Sequence, residues 1–280
     1  MRRKSMAALL AVLTLTSLAS AQAPGRFTWQ RGQVLVYRAV HLTKASYVMG
    51  ETTSESRTNL SLTKRWQVLD VDAAGVATLQ LSLSSLVYEI RTPSGEALSF
   101  DSDHPEKSSE PVRKQFGSFV GEPIVVLRID GQGKVLEVKE ARGGFASAAK
   151  YESDPPFKIL LPAEGVKMGQ GWERGYQITL EPPQGTGEKY PAVQRYVCKG
   201  VEQNLATVAI TTEVKATPSA QEDQVPLWQM QPEGEIVFEV QAGRLQKVKL
   251  HIDKEAKGTQ GDGSSTRFES TYTEEYVGDR

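Results

Sequence analysis

The sequence predicts a mostly β protein, built of antiparallel sheets or curved half-barrels in two similar halves, with a few short helices. Three observations carry this. Most segments beyond residue 21 alternate apolar and polar side chains with a period of two, the pattern of a strand with one buried face. Glycine-containing turns such as Asp130-Gly131-Gln132-Gly133 and Gln241-Ala242-Gly243 separate successive runs. Helical periodicity is confined to short stretches.

Taken from the N-terminus, Arg2, Arg3 and Lys4 precede an apolar run, Met6 to Leu18, and the small residues Ala19-Ser20-Ala21. This is the layout of a secretory signal peptide over residues 1–21, cleaved after Ala21. The alternative is an uncleaved anchor, but the run falls short of the ~20 residues a spanning helix needs. The residues after Arg2-Arg3 do not fit a twin-arginine signal. A lipid anchor would need a cysteine at the cleavage site, whereas the single cysteine is Cys198. The expectation is Sec export to the periplasm or exterior as a soluble chain, not a lipoprotein, with no transmembrane segment after cleavage.

Strands are expected at Val34–Val40, Asn59–Val68, Ala77–Leu83, Thr207–Val214 and Ile236–Val240. Hairpins should join Ile124–Ile129 to Lys134–Val138, and Glu235–Val240 to Arg244–Ile252. Helices fit Pro111–Phe119 and Gly143–Tyr151, the latter stopped by Pro155-Pro156. Lys158–Leu161 is an apolar turn with no assigned element. Loops rich in Ser, Pro, Glu and Asp cover Ser102–Glu110, Glu181–Lys189 and Pro218–Gln224, and the glycine-rich Lys257–Ser265 joins the last two strands.

Three landmarks recur in one order: Gly32…Tyr37 and Gly171…Tyr176; Trp66…Ala77-Thr78-Leu79 and Tyr196…Ala206-Thr207-Val208; Gly133-Lys134-Val135 and Gly243-Arg244-Leu245. They suggest an internal duplication, although hairpins share turn chemistry in any case. The boundary falls near Leu161–Lys167, giving halves 22–165 and 166–280, either separate or one continuous domain.

Composition excludes more than it selects. The 280 residues hold 33 Lys and Arg against 34 Asp and Glu, mixed along the chain, which argues against a nucleic-acid binder. One cysteine leaves no intramolecular disulfide, and Cys198 in a strand-like run reads as a buried free thiol.

From Trp66 onward a family likeness emerges. Val71-x-x-x-Gly75-x-Ala77-Thr78-Leu79, Thr92-Pro93-x-Gly95, Ser99-Phe100-Asp101-Ser102 and Gly133-x-Val135 are followed by Gly234-x-Ile236-x-Phe238 and Gly243-Arg244-Leu245. Together they resemble a family of exported bacterial β-rich proteins, a domain of unknown function. The resemblance implies export and sheet architecture and brings no catalytic residues. A looser, architectural likeness is to periplasmic lipoprotein-carrier half-barrels.

Chemical motifs are sparse. Ser61-x-x-Lys64 matches the nucleophile motif of penicillin-recognising enzymes, but on a strand the two side chains point to opposite faces, and the companion motifs are absent. Asp101, Asp103, His104 and Glu106 supply hard oxygen donors without the glycine turn of a calcium loop, and read as a solvated acidic loop. His41, His104 and His251 follow no zinc spacing. Gly131-Gln132-Gly133-Lys134 lacks the spacing of a phosphate loop. Trp29, Trp66, Tyr88, Trp172, Tyr176 and Tyr196 read as core residues, or as the lining of an open concave face. Trp228, in the loop-like Pro226–Met230, is the aromatic residue most suited to a surface role. No catalytic, metal or cofactor residues are predicted. The leading expectation is a non-enzymatic protein binding a ligand or partner through a curved sheet. The alternatives are a carrier of lipid or another apolar molecule, and a hydrolase with an unmarked carboxylate pair.

Overall fold

The computed structural model describes residues 25–142, 145–146, 148–182 and 184–279. The expected signal segment 1–21 lies outside them, as do Gly143 and Gly144 of the second expected helix.

The protein is mostly β. In chain order the strands are β1 (Val34–Met49), β2 (Thr52–Val71), β3 (Ala77–Arg91), β4 (Ala97–Asp101), β5 (Pro123–Ile129), β6 (Val135–Ala141), β7 (Gly171–Thr179), β8 (Lys189–Glu202), β9 (Leu205–Val214), β10 (Glu233–Glu239), β11 (Arg244–Lys257) and β12 (Ser264–Asp279). Three short helices join them: α1 (Glu110–Phe116), α2 (Ala148–Ser153) and α3 (Gln221–Trp228). All strands pair antiparallel in one sheet of order β6-β5-β3-β2-β1-β12-β11-β10-β9-β8-β7, with β4 added beside β3. Both expected hairpins are present, as β5–β6 and β10–β11.

The sequence landmarks have a topological counterpart. β1-β2-β3-β5-β6 and β7-β8-β9-β10-β11 are two five-strand meanders that run across the sheet in the same direction, and β12 fills the seam between them. Tyr37 and Tyr176 lie on the first strand of each meander, and Gly133 and Gly243 in the last turn of each. The segment near Leu161–Lys167 does not separate two cores. Ile159, Leu161 and Val166 are buried in one cluster with residues of both meanders.

The sheet is curved and unclosed. Gly25–Thr28 bonds to turns from both meanders: Phe27 N–H donates to Gly131 O at 2.8 Å and Thr28 N–H to Gly243 O at 2.9 Å. The short α2 packs against both edge strands, β6 and β7, where a sheet leaves backbone groups unpaired.

The concave face holds the core, and one irregular segment fills it. Phe157 sits among Phe27, Trp29, Tyr37 and Trp66, with ring centroids 5.1–6.0 Å away. The residues after it are pinned from two directions. Leu161 N–H donates to Gln132 O at 2.9 Å, and Trp172 Nε1–H donates to Leu160 O at 2.8 Å. The apolar turn Lys158–Leu161 is therefore a plug laid across the sheet. Its apolar side chains replace what a second sheet would supply to the core.

Two sequence expectations are corrected. The segment Pro218–Gln224 is not wholly loop, because α3 begins at Gln221 with Glu222 and Asp223 in its first turn, where acidic side chains favour the helix dipole. Trp228 has no surface role: it closes α3 and is buried. The spacing of Leu227 and Trp228 is too brief for helical periodicity to reveal this.

Candidate ligand cavity

The strands in the middle of the sheet outrun the core. β2 has 20 residues, yet only Trp66 and Val68 are buried. Beyond that level the concave face carries half-buried side chains over a hollow.

Antiparallel register explains what lines it. One rung crosses the sheet through Tyr88, Leu60, His41, Tyr272, Leu250, Gly234, Ile210 and Tyr196. The rung is apolar or aromatic except at His41, and Gly234 leaves a gap in it. The next rung includes Thr43, Ser270 and Ile252. The plug (Asp154, Pro155, Lys158) and the exit of α3 (Met230, Pro232) stand over this floor, with Tyr176 and Ile178 on the flank. Together they bound a cavity of about 300 Å³.

Its polar groups converge from named positions. His41 Nε2 is 2.9 Å from Ser270 Oγ, and the imidazole stands edge-on to the Tyr272 ring at 5.8 Å. Burial and the charge of Lys158 pull His41 below its ordinary value, with Asp154 acting the other way. Lys158 has a left-handed backbone, φ 60°. That turn sends Phe157 and Ile159 into the core and leaves Lys158 over the Tyr272 ring, 4.8 Å from its centroid. Lys158 Nζ pairs with Asp154 Oδ1 at 2.5 Å. Protein crowded around the Asp154 carboxyl works to raise it even though the side chain reaches solvent, yet Lys158, Lys64 and Lys150 together hold it below the usual carboxylate range.

Beneath the cavity lies a buried charged group. Lys64 on β2 reaches across the small side chain of Ala39 on β1 to Glu274 on β12, with Nζ 3.0 Å from Oε1. Tyr272 OH donates to the other carboxylate oxygen at 2.5 Å and accepts from Lys64 at 2.9 Å. Burial first, and the Glu274 carboxylate second, push the phenols of Tyr37 and Tyr272 far above their ordinary range.

The motifs singled out in the sequence land elsewhere or serve the fold. Ser61 pairs with Val40, one rung from His41 and on the opposite face from Lys64. Asp101 accepts from the N–H of Asp103, and His104 lies 3.7 Å from Glu106 on the surface. Among the described residues no group of three His, Cys, Asp or Glu side chains is placed to hold a metal ion. His251 pairs with Glu233 at 3.1 Å and belongs to the cavity lining. Cys198 is buried and unbridged, and burial raises its thiol. Of the residues around the cavity, Tyr88, Tyr176 and Tyr196 belong to the aromatic set read from the sequence and His41 and His251 to its histidines. Their meeting was not legible, and the lysines and acids scattered over β2, β12 and the plug form no local pattern. The abrupt break of alternation at Pro155–Leu161 was the one available signal.

No family model matches the chain, and no curated protein matches it. Among solved structures, the chain is similar to lipovitellin, from a study of lipid–protein interactions in that protein. The TM-score is 0.43 at 10% identity over 90% of this chain, which spans 26% of the lipovitellin chain. An outer membrane channel from Pseudomonas putida F1 aligns over 93% of this chain and 100% of its own, at 7% identity and TM-score 0.24. DynF from the dynemicin biosynthesis pathway of Micromonospora chersina aligns over 96% and 93%, at 9% identity and TM-score 0.19. These likenesses carry no functional argument. Among the described residues no helix is long and apolar enough to cross a membrane.

Proposed function

We propose that the protein is an exported binding or carrier protein that takes an apolar or amphipathic small molecule into the hollow of its sheet. The observation that carries this reading is the cavity. Its volume of about 300 Å³ is at the small end of ligand pockets, and an apolar floor with few convergent polar groups is their usual composition. The resemblance to exported β-rich proteins agrees with it. The hydrolase alternative is less favoured. Asp154 lines the hollow and Glu274 lies behind Tyr272, and each is paired with a lysine, an environment unlike that of the protonated acid in sugar hydrolysis.

Titration with an environment-sensitive apolar fluorophore tests the reading, together with native mass spectrometry of the purified protein. Met230→Trp fills the cavity from its rim and should weaken probe binding about tenfold, roughly the 1–2 kcal/mol of lost apolar burial. Its β circular-dichroism spectrum should stay unchanged. No saturable probe binding, with no co-purified molecule, would overturn the proposal.

A further inference from the structure

We infer that the occupant of the cavity is an anionic amphiphile whose carboxylate head docks on Lys158 while its chain lies along Ile210, Leu250 and Ile252. This rests on the cavity reading above and adds the class of ligand.

Three observations support it. First, a carboxylate already stands at the proposed place. Asp154 Oδ1 meets Lys158 Nζ at 2.5 Å, and the Asp154 side chain is 55% exposed. The pair is open to water on the Asp154 side, so a ligand carboxylate can replace Asp154 against Lys158 while Asp154 turns outward. Lys158 itself is 19% exposed and held over Tyr272, so it remains in the hollow.

Second, the positive charge of Lys158 at the hollow is reinforced from nearby. Lys158 lines the hollow, Lys64 and Lys150 act with it on Asp154, and Arg174 lies over Tyr176 of the lining. Against them are Asp154 and Glu274, with Glu181 acting on Lys150. Among the described residues the partners of Arg174 are neutral acceptors. Its Nε donates to Gln194 Oε1 at 2.9 Å and to Tyr196 OH at 3.3 Å, its other nitrogens reach the carbonyls of Glu152 and Ser153, and its plane lies over the Tyr176 ring. Lys150 lies over the Phe145 ring, 4.2 Å from its centroid. An anion placed here meets the charge of Lys158 together with the fields of Lys64 and Lys150 that already act on the Asp154 carboxylate.

Third, the headgroup position and the apolar floor are contiguous. Lys158 lies over Tyr272, and Tyr272 is paired with Leu250 in the rung that continues to Ile210. A molecule with a charged end and an apolar body matches that order of surfaces; a wholly apolar one leaves Lys158 without its share of the ligand.

The test compares decanoate with decanol, two ligands that share an alkyl chain and differ at the head. Binding is read by displacement of the apolar fluorophore from the parent chain, Lys158→Gly and Asp154→Asn. Glycine suits the left-handed backbone at this position, so Lys158→Gly should keep the parent melting temperature. In the parent, decanoate should bind about tenfold or more tighter than decanol, the worth of one charge-assisted hydrogen bond. Lys158→Gly should bring that ratio close to one with decanol binding retained. Asp154→Asn, which removes the competing carboxylate, should strengthen decanoate binding several-fold. A parent ratio near one, or a ratio unmoved by Lys158→Gly, overturns the inference while leaving the cavity reading in place. Failure of both ligands to bind overturns the cavity reading as well.

Discussion

Glu274→Gln isolates the buried interaction beneath the cavity. The Glu274 side chain is fully buried, with one oxygen 3.0 Å from Lys64 Nζ and the other accepting from Tyr272 OH at 2.5 Å. At that separation two unit charges attract by roughly 5–6 kcal/mol for an effective dielectric of about 20, and desolvation cancels much of it. The substitution leaves an ammonium that is 14% exposed facing a neutral amide. Breaking one side of a buried pair costs about 3–5 kcal/mol, and the residual exposure of Lys64 places the expected loss near the lower end, about 3 kcal/mol. For a chain of this size that corresponds to a melting temperature lower by roughly 6–12 °C. Replacing both charged partners by apolar residues, Lys64→Met with Glu274→Leu, leaves the Tyr272 hydroxyl without its two partners but no unpaired charge, so it should recover part of the loss and cost about 1–2 kcal/mol. Urea unfolding followed by tryptophan fluorescence, paired with thermal melts, measures both. A single variant costing under about 1 kcal/mol, or a double variant as unstable as the single, would refute the reasoning.

Other perturbations test the fold more directly. Phe157→Ala removes the ring at the centre of the plug and should cost about 3–5 kcal/mol in urea unfolding. Gly243→Ala places a methyl group against the Thr28 hydroxyl and 2.7 Å from Arg26 O, at φ +62°; a melting temperature within error of the parent would contradict that packing. His41 has a depressed value in the folded protein, so below its unfolded value of about 6.5 the unfolded chain binds more protons. Stability should therefore fall as pH drops from 7 towards 5, and His41→Gln should flatten that slope in pH-resolved thermal melts. Cys198, 1% exposed, should resist a thiol reagent in the native protein and react stoichiometrically in denaturant.

Much of the architecture was legible because a strand declares itself locally. Ala77–Leu83 alternates along its own length, and Asp130-Gly131-Gln132-Gly133 supplies its own turn, so the β5–β6 and β10–β11 hairpins follow from neighbours in sequence. The corresponding turns at Gly133 and Gly243 also marked the two meanders. The short helix Pro111–Phe119 was placed for the same reason, ending in the structure at Phe116.

What tertiary structure alone decided is which distant residues meet. Period-two alternation says that His41 and Tyr272 each share a face with their own neighbours, but only the pairing of β1 with β12 sets them on one rung. Nothing local predicts that Phe157 and Ile159 turn inward around a left-handed Lys158, because that conformation is imposed by the core they fill. The charged groups of the cavity come from residues as far apart as Lys64 and Glu274. Their proximity is a product of sheet curvature, a property of the whole sheet that no single segment encodes.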